Sequence, residues 1–495
     1  MVINYLKIMN DGKLVTLYKA LSLVERQKFA LYVRSPFFNK QKKVLLLHDF
    51  IARHYAEQTE VLFDKKTAYS HVFGQNAIFD DNKCRFLMSQ LTRLLESFLA
   101  YSRYEKQLLQ PQTDFLTTLG EHSLEKYFWQ TFKDLKQQLE SLVIFDSDYY
   151  YRAFVAYEQA YQFSLQSKSN PWETSLQEAV DSLDAFYAIN KLRYSCAMLT
   201  RQNILAAEYR AFMLEPLIEN IPQSPVGEKP GVKAYYNLLC LLYIKNDQYF
   251  FALRQLLSEG LPLNKLDLGA LYTGLSNFCV QQIKAGQLQY YSHLFDLYKE
   301  MVATQIILSG DYVSPNHYRN IVALGLRMGE IEWTKKFIHS HKKFLHPNYR
   351  DSLFDFNMAL LYFNQKDYDK ASKHLIVVTF KDIFSHITCK KLLLQTYFEL
   401  METESLFSLV ANFRDLLRRS DKISLHNRNA YRNFVNSTIR IYRIKQSPVQ
   451  SREHKRIALI KAKQEIEQLA PLIDKEWLLE KLTELAAKHK IPDWV

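Results

Sequence analysis

Glycine is scarce in this sequence, at 12 of 495 residues, about a third of the usual share. Tight turns and β-hairpins depend on residues that tolerate positive φ, and glycine is the main one. The shortage therefore disfavours folds built from β-hairpins and favours helices joined by short connections. The two glycine-rich motifs of phosphate-binding loops, G-x-G-x-x-G and G-x-x-x-x-G-K, do not occur in the sequence. We expect an all-α protein with no sheet of three or more strands.

Cysteine is also rare, and its spacing excludes two classes of protein. The five cysteines form no C-x-x-C pair and no disulfide framework. This spacing predicts reduced core residues in a protein inside the cell. They are Cys84, Cys196, Cys240, Cys279 and Cys389. The first residues lack the apolar stretch of a signal peptide, and no uncharged apolar run approaches the ~18–20 residues that span a bilayer. We expect a cytoplasmic protein without a membrane partner.

Recognisable catalytic chemistry is missing as well. Neither G-x-S-x-G nor H-E-x-x-H occurs. His339, His341 and His346 lie close together in sequence, but their spacing does not put three imidazoles on one helical face. We therefore expect no catalytic residue, no metal site and no cofactor, and we do not expect a small-molecule ligand.

Positive charge is concentrated near the end of the chain. Residues 414–463 hold 14 of the 64 Lys and Arg residues and three of the 52 Asp and Glu residues, and so carry nearly all of the net charge of +12. At helical spacing these cations form strips, and the arginines favour bidentate contact with phosphate or carboxylate. The predicted binding residues are Arg414, Arg418 and Lys422 on one helix, Arg428, Arg432, Arg440 and Arg443 on the next, and Arg452, Lys455 and Arg456 after Pro448.

The charge pattern does not identify the anion that these strips would bind. The strips could contact nucleic acid or an acidic protein, or they could be a solvated helix face. The acidic residues that follow could also fold back on them as an intramolecular counter-charge. These residues are Glu465, Glu467, Asp474, Glu476, Glu480 and Glu484.

One segment, residues 356–375, has an ordered pattern of large, aromatic, acidic and small residues. The pattern consists of Met358, Tyr362, Asp367, Tyr368, Ala371 and Leu375. It resembles a tetratricopeptide repeat, in which two antiparallel helices cross closely at the small residue and aromatics fill the space on either side. The resemblance implies that Ala371 lies at a tight helix–helix contact.

Weaker copies of this pattern surround the segment. They occupy residues 238–257, 321–338 and 392–410, with a fainter one around Gly286. Their small-residue positions (252, 291, 334, 371 and 406) lie 35 to 43 residues apart, whereas a regular array would repeat at ~34. We expect a degenerate, tetratricopeptide-like, right-handed α-solenoid over residues 232–413.

Tetratricopeptide arrays commonly hold a peptide in the groove lined by their first helices. The resemblance assigns this groove to Leu353, Phe356, Asn357, Leu360 and Phe363. These are mostly apolar, and the Lys/Asn set of a carboxylate clamp is missing. The groove is therefore expected to accept an apolar helix, or to pack against the next helix of the same chain.

The first hundred residues are predicted to form a separate helical module. Ser22 and Glu25 form a capping box that starts a helix ending near Arg34. A second helix covers residues 42–56, a short one runs from Asp64 to Phe73, and Asp80 or Asp81 caps a long one.

Residues 64–104 of this module resemble the tri-helical core of bacterial helix-turn-helix regulators. The expected polar face carries Lys83, Arg85, Gln90 and Arg93. No β-hairpin wing is evident after Leu99, where the chain stays helical. The alternative is a helical cap on the array behind it.

The expected organisation follows from these patterns. It comprises a helical module (1–110), a helical array (111–215), a proline-rich loop or boundary (216–231), degenerate repeats (232–413), basic helices (414–463) and acidic C-terminal helices (464–495). We expect a non-enzymatic scaffold that binds a protein or peptide. The alternative is a nucleic-acid-binding regulator that uses the basic C-terminal face or the N-terminal module.

Overall fold

The computed structural model describes residues 12–56, 65–107, 109–166, 173–204, 208–420, 422–447, 452–489 and 491. Of the described residues, 79% are helical. Within these ranges there are 23 α-helices and a single two-stranded antiparallel ribbon, in which Leu308 pairs with Val313 and Ser309 with Tyr312. The all-α prediction is therefore confirmed for the described part of the chain.

Contacts divide the chain into two compact units. Unit 1 comprises residues 1–194 and 215–233, and unit 2 comprises residues 195–214 and 234–495. All three changes of unit fall inside helices: between Tyr194 and Ser195, between Leu214 and Glu215, and between Lys233 and Ala234.

Unit 1 is built from helices that pack around two apolar cores. Its helices are α1 (Lys13–Ala20), α2 (Leu23–Arg34), α3 (Lys42–Ala56), α4 (Lys65–Phe73), α5 (Asp81–Glu105), α6 (Gln110–Glu121), α7 (Glu125–Ser141), α8 (Ser147–Ser164), the first part of α9 (Ser175–Ile204) and most of α10 (Leu214–Asn220). One core, around Phe29 and Leu95, joins α1–α5. The other, around Phe128 and Ala156, joins α6–α8.

Local capping explains where the helices of the first module begin. The Ser22 side chain accepts from the Glu25 amide at 3.3 Å while the Glu25 carboxylate accepts from the Ser22 amide at 2.9 Å, which confirms the capping box. Asp80 caps α5 by accepting two backbone amides. Gly74 ends α4 with φ +102°, a conformation that glycine tolerates best. Asp64 lies outside the described residues.

The proline-rich segment is more ordered than the predicted loop. Pro216 lies within α10, short 3-10 helices follow at Ile221–Gln223 and Pro225–Glu228, and Pro230 starts α11. Each proline is within the first residues of a helix or turn, where its missing amide costs no hydrogen bond. Ile221 is only 4% exposed, whereas Pro216, Pro222 and Pro225 are exposed.

Unit 2 contains the remaining helices, joined mostly by short turns. They are α11 (Pro230–Tyr243), α12 (Asp247–Glu259), α13 (Lys265–Lys284), α14 (Tyr290–Ala303), α15 (Pro315–Arg327), α16 (Ile331–His341), α17 (Arg350–Asn364), α18 (Tyr368–Val377), α19 (Ile383–Leu400), α20 (Thr403–Arg419), α21 (Leu425–Gln446), α22 (Arg452–Gln468) and α23 (Lys475–Lys488). The ribbon of β1 (Leu308–Ser309) and β2 (Tyr312–Val313) lies between α14 and α15.

Four turns of unit 2 close in the same way. In each, a residue one or two positions after the end of the first of the two helices has positive φ: Gly286 at +90°, Gly329 at +74°, Lys366 at +63° and Met401 at +60°. The next residue then donates its amide to the carbonyl five positions earlier, as Asp367 does to Tyr362 at 2.9 Å. This bond satisfies a carbonyl that the helix end would otherwise leave unpaired. The side chain of Asp367 also accepts from the Lys370 amide, so one residue ends α17 and starts α18.

Each of these turns joins two helices that pack against each other, and neighbouring pairs also touch. The first helices of successive pairs meet directly, α15 with α17 and α17 with α19. Ala371 is fully buried on α18, as expected for the position of closest approach. The packing therefore repeats from one pair to the next.

A close crossing joins α15 and α16. Gly325 is buried there, and a Cβ added to it would overlap the Thr334 hydroxyl while lying 3.4 Å from the Thr334 Cβ. Thr334 is fully buried and donates to the Glu330 carbonyl at 2.7 Å. It occupies the small-residue position that the repeat pattern predicts at 334. Glycine is thus required for packing, against its poor helix propensity.

All five cysteines are buried free thiols. Burial raises the pKa of Cys389 to about 11, so this thiol is neutral at physiological pH. Among the described helices, none is long and apolar enough to cross a bilayer.

The Gly325–Thr334 crossing gives a direct test of the packing. In an open helix, Gly→Ala stabilises by about 1 kcal/mol, but Gly325→Ala should destabilise by about 1–3 kcal/mol because the methyl group overlaps Thr334. In a Thr334→Ala background most of that cost should vanish, giving a coupling energy of about 1 kcal/mol or more. Urea unfolding of the four proteins measures it. Additive effects would show that α15 and α16 do not cross at these residues.

Candidate functional site

A broad groove of about 730 Å³ opens on unit 2, and we call it the apolar groove. Its lining is Val280, Ile283, Lys284, Tyr291, Leu294, Tyr298, Asn320, Ala323, Leu324, Leu326, Arg327, Leu360, Phe363, Asn364, Lys366, Tyr368, Glu399, Trp477, Glu480 and Lys481. These side chains come from the first helices of four successive pairs, from α14, from the start of α18 and from the C-terminal helix α23. The groove is therefore a product of the repeated packing.

The apolar groove runs past the C-terminal ends of these first helices. Lys284, Arg327 and Asn364 are the last residues of α13, α15 and α17. Cations at this position interact favourably with the negative end of the helix dipole. The Arg327 guanidinium also lies 4.3 Å from the centroid of the Tyr291 ring, which fixes one edge of the groove. The result is an apolar, aromatic floor with a charged rim.

A buried ion pair between α19 and α23 lines part of the apolar groove. Lys481 of α23 is 5% exposed and lies 2.9 Å from Glu399 of α19 and 2.8 Å from Glu484. Burial lowers the pKa of Lys481, but the carboxylates of Glu484 and Glu399 raise it above its ordinary value. The ammonium therefore stays charged at neutral pH and holds α23 against α19. Beside it, the Trp477 ring packs 5.3 Å from Phe398.

The five residues predicted to line a peptide groove are divided by the structure. Leu360 and Phe363 line the apolar groove. Leu353, Phe356 and Asn357 do not, because all three are buried within unit 2, and Asn357 donates to the Leu353 carbonyl at 2.7 Å. The repeat pattern marks the apolar side of α17 but does not distinguish its core positions from the groove positions.

The strip on α21 is likewise divided. Arg428 is half-buried, and its guanidinium donates to the backbone carbonyls of Ser420 at 2.7 Å and Ile423 at 3.5 Å. It therefore supports the connection between α20 and α21. Arg432 is exposed and has no ion-pair partner among the described residues. Sharing a helix face therefore does not give these two arginines the same role.

Other cations of the segment already have acidic neighbours. Arg418 pairs with Asp415 at 2.8 Å, and Arg456 pairs with Glu453 at 3.3 Å. Lys422 is exposed just before α21. Pro448 and the side chain of Arg452 lie outside the described part of the chain. The positive field is thus weaker in several places than the sequence count suggests.

Four cations meet at a second groove of about 600 Å³, which we call the basic groove. They are Arg414, Arg440, Arg443 and Lys455, drawn from α20, α21 and α22. The floor is apolar and consists of Phe407, Val410, Ala411, Ile439, Ile444 and Ala458. Asn436 and Ser447 complete the lining. Three helices are needed to build this site, so no single strip in the sequence reveals it.

Two contacts shape the basic groove. Arg414 donates to the Asn436 side chain at 2.7 Å, which links α20 to α21. Arg440 pairs with Glu465 of α22, which links α21 to α22. Beyond that pair lies a separate polar pocket that both residues also line. Arg443 stays exposed, with no ion-pair partner in the described structure.

The acidic residues near the C-terminus do not cover the basic strip as a group. Asp474 pairs with Lys391 at 2.5 Å, and Glu484 pairs with Lys481. In the described contacts, only Glu465 of this set reaches the strip, at Arg440. The predicted counter-charge is therefore local.

In unit 1, α3, α4 and α5 contact one another, and α5 presents a polar face. Lys83, Arg85 and Arg93 are exposed on it. Asp80 lies 3.5 Å from Lys83, and Asp81 lies 2.6 Å from Arg85, so acidic residues offset part of this charge. Gln90 is only partly exposed. No strand lies between α5 and α6 in the described residues, so a wing is not seen there.

No protein-family model matches the sequence, and no curated protein is significantly similar to it. The functional argument therefore depends on the geometry of the two grooves.

The division of the α21 strip can be tested by stability. Arg428→Gln should destabilise unit 2 by about 1–3 kcal/mol, because it removes charged hydrogen bonds to backbone carbonyls. Arg432→Gln is the matched control on the same face and should stay within about 0.5 kcal/mol of the native protein. Thermal unfolding of both variants provides the comparison. Equal melting of the two variants would mean that Arg428 has no structural role.

Proposed function

We propose that this protein is a non-enzymatic, tetratricopeptide-like scaffold that binds a polypeptide segment in the apolar groove. The observation that carries the proposal is the groove itself, which spans the first helices of four successive pairs. A partner helix could place several side chains in it at i, i+3, i+4 and i+7 spacing.

The repeated turns support the repeat-array part of the proposal. Four turns share a left-handed residue at the end of the first helix, and the backbone bond that follows it is the same in each. First helices of neighbouring pairs also touch. Stacked helix pairs of this kind bury a continuous core and leave one face open, which is where repeat proteins bind their partners.

The lining chemistry supports a protein ligand. Aromatic residues such as Tyr291, Tyr368 and Trp477 surround an aliphatic floor, and aromatics are enriched at protein interfaces. The rim carries both signs of charge, with Lys284 and Arg327 on one part and Glu480 on another. A rim of this kind orients an apolar segment without requiring a polyanion.

The alternative, a nucleic-acid-binding regulator, is favoured by one observation. Arg93 of α5 and Arg432 of α21 are exposed and lack an ion-pair partner in the described structure, so they are available for phosphate. Each lies in a different unit. Nucleic-acid binding through phosphates would fall steeply with salt, by a log–log slope of ~0.9 per duplex-DNA phosphate neutralised.

Peptide selection tests the scaffold proposal. A phage-displayed library of random peptides is selected on the native protein, and the enriched clones are then tested against Ala323→Trp. Ala323 is exposed on α15 and lines the apolar groove, so an indole there should fill the space a ligand needs. We expect a set of apolar peptides whose affinity falls about tenfold or more, equivalent to about 1.4 kcal/mol.

Ala487→Trp is the matched control, since Ala487 is exposed on α23 but outside the groove lining. Both variants should keep the helical circular dichroism spectrum of the native protein. Peptides that bind equally to all three proteins would exclude the apolar groove as the binding site.

A further inference from the structure

We propose that the basic groove is a second docking site, which takes a short acidic segment of a partner protein that carries apolar side chains between its carboxylates. This inference does not depend on the apolar groove. It rests on the cations around the basic groove, on its apolar floor, and on a carboxylate that already reaches its edge.

The charge at the groove is positive and only partly compensated. Arg414 and Arg443 are exposed at its rim and Lys455 is half-buried. Arg414 bonds to a neutral amide, that of Asn436. For Arg443 and Lys455 the described residues contain no ion-pair partner. Opposite charge on a ligand would therefore be attracted from three helices at once.

The carboxylate of Glu465 indicates what kind of anion fits. It pairs with Arg440, which lines the basic groove. Arginine pairs well with carboxylates because its planar fork matches their two oxygens. The remaining rim cations lie around the same concavity, so a ligand carboxylate can pair with Arg443 as Glu465 does with Arg440.

The floor of the groove favours a peptide over nucleic acid. Val410 and Ile439 are almost fully buried beneath it, whereas Phe407 is 36% exposed and offers apolar surface to a ligand. Leucine-like side chains gain free energy by covering such surface, and a phosphodiester backbone has no equivalent group. A nucleic acid would also need a longer track of unpaired cations. Nearby Arg418 and Arg456 are instead paired with carboxylates.

The test uses a phage-displayed random peptide library selected on the full-length native protein. Ala411 is exposed on α20 and lines the basic groove, so Ala411→Trp places an indole in this groove. Enriched clones are sorted by whether they lose affinity for this variant. Ala323→Trp, in the apolar groove, is the matched control. We expect clones that lose about tenfold or more in affinity with Ala411→Trp, keep it with Ala323→Trp, and combine net negative charge with apolar residues.

A second variant guards against misfolding. Arg443→Glu changes an exposed residue, so it should preserve the fold and still weaken the same peptides, with added salt narrowing the difference. The proposal is wrong if no clone binds Ala411→Trp and Arg443→Glu more weakly than it binds the native protein. It is also wrong if the peptides that lose affinity for these variants are neutral or basic. An electrophoretic shift with oligothymidine that both variants abolish would assign the groove to nucleic acid and also overturn it. Binding to Ala323→Trp is scored separately. A negative result for the basic groove therefore does not affect the test of the apolar groove.

Discussion

The closing of four helix pairs by a left-handed residue is the constraint on which the repeated packing of unit 2 depends. At Lys366 a non-glycine residue takes φ +63°, which costs about 1–2 kcal/mol. The amide of Asp367 then reaches the Tyr362 carbonyl, and its side chain caps the next helix. The chain reverses within a few residues, so α18 must pack back on α17. Ala371 of α18 is fully buried.

The same turn fixes where a binding surface can form. Because the first helices of successive pairs lie side by side, their C-terminal ends bring Lys284, Arg327 and Asn364 to one groove. The buried Lys481–Glu399 pair lines the same groove. A buried pair of this kind contributes little net stability but is costly to break, so α23 is held in one position. The basic groove arises further along, where residues of α20, α21 and α22 meet.

Sequence reasoning succeeded where short-range rules decide the outcome. The capping box at Ser22, the cap at Asp80, the end of α4 at Gly74 and the burial of Ala371 all follow from a few neighbouring residues. It failed where burial depends on other helices. Asn357 was predicted to line the groove with Leu360 and Phe363, but it is buried. Arg428 bonds to the backbone, although it shares a helix face with the exposed Arg432. Trp477 and Lys481 were missed as groove residues because they come from a helix far along the chain, although a lysine within an apolar stretch is a usable signal.

Hydrogen–deuterium exchange of the full-length protein, with and without a selected peptide sensitive to Ala323→Trp, tests the central claim most directly. Amide exchange reports local opening, which a bound ligand suppresses at the elements it holds. The account predicts protection at the C-terminal halves of α13, α15 and α17 and along α23, with α16 and α20 unchanged. Protection confined to α16 and α20, or to the helices of unit 1, would show that the peptide binds elsewhere and would contradict a groove formed by successive first helices.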